Sequence, residues 1–97
     1  MVAMAREGVA DLDKRNRVAS PNSKYSKRLR KLTKGFKSMN GQPLNFKVYQ
    51  SKEVNAFATP DGSIRVYTGL MDKMSDNELV FVIGHEIGHI VEGHSKW

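Results

Sequence analysis

Apolar residues recur along this chain with two different periods, and the changes of period divide it into elements. Over 2–14, Val2, Ala5, Val9 and Leu12 fall at helical spacing and predict a short amphipathic helix. Residues 15–21 interrupt it, because Pro21 disfavours helical backbone at Ser20. Asn22 or Ser23 can then cap a second helix over about 22–37. Its Tyr25, Leu29, Leu32 and Phe36 stand at i, i+4, i+7 and i+11, a stripe that requires a core partner. Asn40, Gly41, Gln42 and Pro43 read as a turn. At 44–49 the period drops to two, with Leu44, Phe46 and Val48 against Asn45, Lys47 and Tyr49, which predicts a strand with one buried face. Residues 54–58 and 63–68 are two further strands. Thr59, Pro60, Asp61 and Gly62 between them are turn chemistry, so the pair is expected as an antiparallel hairpin.

The last periodic stretch is the most apolar. Residues 70–74 lead into it through a short helical turn, and Ser75 with Glu78 makes a capping box that satisfies free N–H groups at a helix start. Leu79, Val80, Val82, Ile83, Ile87, Ile90 and Val91 then cover most of the circumference of a helix over about 76–93, as in a core helix. The fold class that follows is α+β, a small three-stranded β-sheet packed against helices with this last helix buried on it.

Ninety-seven residues suffice for one domain with one modest core. No cysteine is present, which removes disulfides and thiolate metal sites. No apolar run reaches the 18 or so residues of a membrane span, and no secretory signal pattern opens the chain. The formal charge is +6, and seven of the sixteen basic residues fall between Lys24 and Lys37. That cluster is first a solvated helix face and second a patch for an anionic partner. No helix-turn-helix, RNA-binding or zinc-finger pattern accompanies it, so no specific nucleic-acid partner is expected, and weak attraction to an anionic membrane surface fits better.

Chemistry enters at His85, Glu86, Ile87, Gly88 and His89, an HExxH motif inside the apolar helix. At about 100° per residue, His85 and His89 lie roughly 40° apart and one turn apart along the axis. Two imidazoles so placed can each give a nitrogen to one Zn²⁺ at about 2.0–2.1 Å. Glu86 projects beside them, able to take a proton from a zinc-bound water. Gly84 and Gly88 each cost about 1 kcal/mol of helix propensity against Ala. The expected return is close approach by another backbone or by substrate.

With that motif in hand, several stretches resemble one family. VNAFA at 54–58, IRVYTGLM at 64–71, DNEL at 76–79 and HEIGHIVEGH at 85–94 look like peptidase family 48, the gluzincin family of HtpX and the CAAX prenyl proteases. NGQP at 40–43 and KVY at 47–49 fit its soluble, lipid-anchored bacterial branch, which works in the periplasm at the outer membrane. The resemblance covers about 22–95. It implies that His85 and His89 are zinc ligands, one zinc per full-length catalytic domain, and that Glu86 is the general base. It implies an edge strand at Asn55, Ala56 and Phe57 along which an extended peptide is laid, with main-chain hydrogen bonds supplying affinity. Ordinary core packing is an equal alternative for Phe57.

Family members take the third ligand from a Glu on a helix well beyond the motif, so that ligand is expected beyond Trp97. The chain then reads as an N-terminal, partial catalytic domain of a longer peptidase, inactive by itself and holding zinc weakly or not at all. Within the chain, Glu92 lies about 20° from His85 but too far along the axis, and His94 lies about 180° away. The leading reading is a zinc-dependent metalloendopeptidase acting on membrane-associated or misfolded proteins, without a membrane span here. The alternative is a non-catalytic binding domain that docks a protein or an anionic surface through its sheet edge or basic helix.

Overall fold

A computed structural model describes residues 2–36, 38–39, 42–59 and 61–91, with side chains described for 8–36, 43–59 and 61–88. Its elements run α1 (Val2–Arg15), α2 (Lys24–Leu32), β1 (Ser38–Met39), β2 (Gln42–Pro43), β3 (Asn45–Tyr49), β4 (Ala56–Ala58), β5 (Ser63–Tyr67), α3 (Thr68–Lys73) and α4 (Asp76–Val91). The class is α+β. β1 and β2 pair with each other around part of the expected turn, of which Asn40 and Gly41 lie outside the described residues.

The principal sheet has the order β3-β5-β4. β4 and β5 form the antiparallel hairpin, with Ala56 opposite Val66 and Ala58 opposite Ile64. β3 joins the other side of β5 in parallel, Asn45 opposite Ser63 through Tyr49 opposite Tyr67. The chain therefore leaves β3, passes over the end of β5, and enters β4. That passage is held at Ser51, whose carbonyl accepts the Gly69 N–H at 2.8 Å and the Thr68 hydroxyl at 2.9 Å. It runs so close that a Cβ on Gly69 would stand 2.3 Å from the Lys52 carbonyl oxygen. The outer edge of β3 is partly covered in turn, since Ala19 N–H donates to Val48 O at 2.8 Å and Gln50 N–H to Arg17 O at 2.7 Å.

Alternation along the strands gives the sheet two occupied faces. Val48, Ala58, Ile64 and Val66 meet Leu29 of α2, Leu70 and Met71 of α3, and Leu79 and Ile83 of α4 in the main core. Tyr49, Arg65 and Tyr67 are buried on the opposite face. α1 covers that side: Arg65 Nε donates to Asp13 Oδ1 at 3.0 Å and Nη2 to Oδ2 at 3.2 Å, and the Tyr49 hydroxyl donates to the same carboxylate. Of the expected α1 stripe, Val9 is buried and Leu12 is exposed, while the side chains of Val2 and Ala5 lie outside the described set.

Ser23 caps α2 by accepting the Ser26 N–H at 3.1 Å. The helix stops at Leu32 rather than near residue 37, because Thr33 turns its hydroxyl back to Leu29 O at 2.7 Å and the chain departs there. Phe36, though outside the helix, still packs against the core. Arg28 ties α2 to the α3–α4 junction, donating to Met71 O at 2.8 Å, Met74 O at 2.8 Å and Asp76 Oδ1 at 2.7 Å. The Met71 and Met74 oxygens are carbonyls that the end of α3 leaves without an intrahelical donor.

Candidate active site

The rotation of α4 decides what its motif faces. At its start Ser75 N–H donates to Glu78 Oε1 at 2.9 Å and Glu78 N–H to Ser75 Oγ at 3.3 Å, the reciprocal box expected there. Leu79 and Ile83 then plant one edge of the helix in the core. The opposite side is open, with Phe81 76% exposed, so α4 is buried along one face and not all round. Glu86, at i+3 from Ile83 and i+7 from Leu79, falls on the buried edge, whereas His85 is exposed.

Glu86 forms one wall of a cleft whose other wall is Asn55, Ala56 and Phe57. Tyr67 N–H donates to Asn55 O at 3.1 Å and Thr59 N–H to Ser63 O at 3.0 Å, which points the odd-numbered residues of β4 at β5. Ala56 and Ala58 consequently turn their backbone groups to the outer edge. No strand among the described residues pairs with that edge. The Ala56 N–H donates to Oδ1 of its neighbour Asn55 at 2.8 Å, and Asn55 Nδ2 donates to Glu53 Oε2 at 2.9 Å. Glu53, unremarked in the sequence, thus orients the side chain at the mouth of the cleft. An acid two residues before Asn55 was the available signal.

Ala56 lies on the α4 side of the sheet, and its small side chain leaves the space into which Glu86 projects. The Phe57 ring goes the other way, 6.1 Å from the Tyr49 ring and 6.5 Å from that of Tyr67. Packing therefore claims the Phe57 ring. Burial, and after it the charge of Glu53, pushes the Tyr67 phenol above its ordinary value. Burial likewise raises Tyr49, reinforced by the Asp13 carboxylate. Burial pushes the Asp13 carboxyl up as well, but the hydrogen bonds from Arg65 and Tyr49 and the charges of Arg65 and Lys47 outweigh it and hold the group low.

Of the two close approaches expected at the α4 glycines, that of another backbone is absent among the described residues. A Cβ on Gly84 would meet only the Phe36 ring at 4.0 Å, and one on Gly88 would meet nothing within 4 Å. His89 stands in α4 one turn beyond His85, with its side chain outside the described set, as are Glu92 and His94. The donor chemistry fits zinc as far as two ligands go, since Zn²⁺ takes imidazole nitrogens and the two histidines are one helical turn apart in sequence. No group of three His, Cys, Asp or Glu residues suited to a metal occurs among the described residues.

An HExxH helix lying under the free edge of a sheet is the arrangement of a metallopeptidase. Residues 20–96 match the model of Peptidase family M48, and the chain belongs to that family. It is similar to Metalloprotease YcaL of Escherichia coli, 52% identical over 94 residues, which are 96% of this chain and 37% of the relative. Metalloprotease LoiP of the same organism is 48% identical over the same shares. Human Metalloendopeptidase OMA1, mitochondrial, is 43% identical over 49 residues, half of this chain and 9% of that protein. The chain thus spans little more than a third of the two bacterial relatives. No described helix is long and apolar enough to cross a membrane.

Proposed function

We propose that this chain carries the base and the substrate-binding edge of a zinc-dependent metalloendopeptidase. The observation that supports it is the buried Glu86 facing, across one cleft, the edge strand at Ala56, with which no described strand pairs on its outer side. His85 and His89 would hold the zinc, which when bound supplies Lewis-acid polarisation of the scissile carbonyl and of the attacking water. An extended peptide adds to the outer edge of β4, pairing with the backbone of Ala56 and Ala58, so affinity comes from main chain and sequence preference is weak. Its carbonyl replaces Asn55 Oδ1 at the Ala56 N–H. Glu86 then takes a proton from the attacking water and passes it to the departing amine nitrogen as the peptide C–N bond breaks. Weak sequence preference suits substrates that expose extended backbone, which favours membrane-associated or misfolded proteins. By the family likeness the enzyme works in the bacterial periplasm, held to the outer membrane by a lipid anchor.

The test is Glu86→Gln in the complete gene product. Loss of a general base removes about 10²–10⁴-fold in rate. Casein cleavage should fall by at least that range with peptide binding and melting retained. Cleavage at the parent rate would remove Glu86 from the mechanism.

A further inference from the structure

Twelve of the sixteen basic residues, and none of the ten acidic ones, lie between Asp13 and Glu53. α2 is the helix at the centre of this stretch, and its arginines are engaged at home. Arg28 holds the α3–α4 junction, and Arg30 Nη1 donates to Pro21 O at 2.7 Å. The lysines face elsewhere. Lys24, Lys27 and Lys31 stand at i, i+3 and i+7, within about 40° of the direction opposite buried Leu29. All three are exposed, and exposed Lys34 follows just beyond the helix. None of the four forms an ion pair among the described residues.

We propose that this row of lysines docks the molecule on an anionic lipid bilayer. The shape of the surface selects the partner. A helix lying on its sheet presents a convex ridge, which touches a plane along its length, here about 10 Å from Lys24 to Lys31. A single-stranded nucleic acid is held instead in a basic groove with aromatic platforms for its bases. Phe36 packs against the core, and the half-buried Tyr25 has the Lys24 ammonium 5.3 Å from its ring centre and its hydroxyl on Asp72, so neither is an open platform for a base. The Arg28 guanidinium, which could otherwise clamp phosphate bidentately, is already occupied within the fold, and Arg30 has one Nη1 on Pro21 O. What remains is a set of ammonium groups on flexible stems, suited to a diffuse layer of headgroup phosphates. The ridge belongs to α2 and β3, at the far edge of the sheet from β4, so docking leaves the Glu86 cleft clear.

The experiment is co-sedimentation of the chain with vesicles of phosphatidylglycerol and phosphatidylcholine, and with phosphatidylcholine alone. Binding should require the anionic lipid and fall away as salt rises from roughly 0.05 M to 0.5 M. Lys24→Gln, Lys27→Gln and Lys31→Gln should each weaken partitioning about fivefold, and together about a hundredfold. Replacing exposed Lys14, Lys52 and Lys73 by Gln instead leaves the row intact and should cost far less. Equal loss in that second triple variant would mean net charge alone acts and would overturn the docking surface. Tighter binding to a single-stranded oligonucleotide than to the vesicles would overturn the choice of a bilayer. Should the first triple variant melt early, the three single variants, opposite the core, carry the comparison.

Discussion

Arg65 shows how much one side chain can organise. It lies in β5 between Ile64 and Val66 and is only 2% exposed, a position where a lone cation would be costly. Its guanidinium is satisfied on every side, by both oxygens of Asp13 and by the carbonyls of Asn45 and Ile64 at 2.9 and 3.1 Å. Asp13 belongs to α1, so this fork ties the first helix to the central strand across 52 positions of sequence. Because the Asp13 carboxyl is held below its unfolded value, its contribution is complete above about pH 3.9 and is lost as pH falls through the depressed folded value. Asp13→Asn should cost about 2–3 kcal/mol at neutral pH, the scale of charged hydrogen bonds partly stripped from a buried partner. Melting followed from neutral pH to about pH 2 should fall less steeply in the variant than in the parent. Parallel acid profiles would mean the fork does not couple to stability.

Among the elements, the connection from β3 to β4 is the one that cannot be relaxed. It passes over the first turn of α3, where Lys52 and Glu53 carbonyl oxygens would lie 2.3 and 2.4 Å from a Cβ on Gly69. Both atoms are backbone and are held in place by the Ser51 hydrogen bonds, so the strain has no flexible outlet. Gly69→Ala should therefore destabilise by about 2–3 kcal/mol, as overpacking does, lowering Tm by roughly 10 °C or more in a domain of this size. Gly8 in α1 provides the contrast, because a Cβ there meets nothing within 4 Å. Gly8→Ala should leave melting unchanged or raise stability by up to about 1 kcal/mol through helix propensity. The same passage sets the position of Asn55 at the cleft, so a Gly69 variant that still folds should also bind peptide less well.

At the scale of the whole molecule, three layers share the work, with α1 on one face of the sheet and α2, α3 and α4 on the other. Among the described residues, the core that joins sheet and helices contains no histidine. Folding is therefore expected to be independent of zinc. Among the described residues no group of three His, Cys, Asp or Glu is placed to hold a metal, and two imidazoles by themselves, half a tetrahedral shell, bind zinc loosely. Titrating the metal-free chain with zinc, while following histidine ring resonances and thermal melting, should give micromolar or weaker binding, about −8 kcal/mol at most. Melting should scarcely move. Nanomolar affinity with a large rise in melting would show that the chain completes its own site.

What was legible in the sequence was local. The 3.6-residue and two-residue periods placed most helices and strands, Ser23 and the Ser75–Glu78 box marked two helix starts, and the HExxH spacing of His85, Glu86 and His89 within a capped apolar helix pointed to the family. Each of these depends on residues a few positions apart, and so survives without knowledge of the rest. Periodicity says which side of an element is apolar, but not what will cover it. The parallel pairing of β3 with β5, the turning of the Phe57 ring into the tyrosine cluster, and the open space at Gly84 and Gly88 all depended on partners distant in sequence. α2 ended early for a local reason, the Thr33 hydroxyl, that the continuing stripe to Phe36 concealed. Glu86 illustrates the division most directly. Its place in HExxH followed from four neighbouring residues, whereas its burial opposite Ala56 required the rotation of α4 by Leu79 and Ile83 and the antiparallel return of β4.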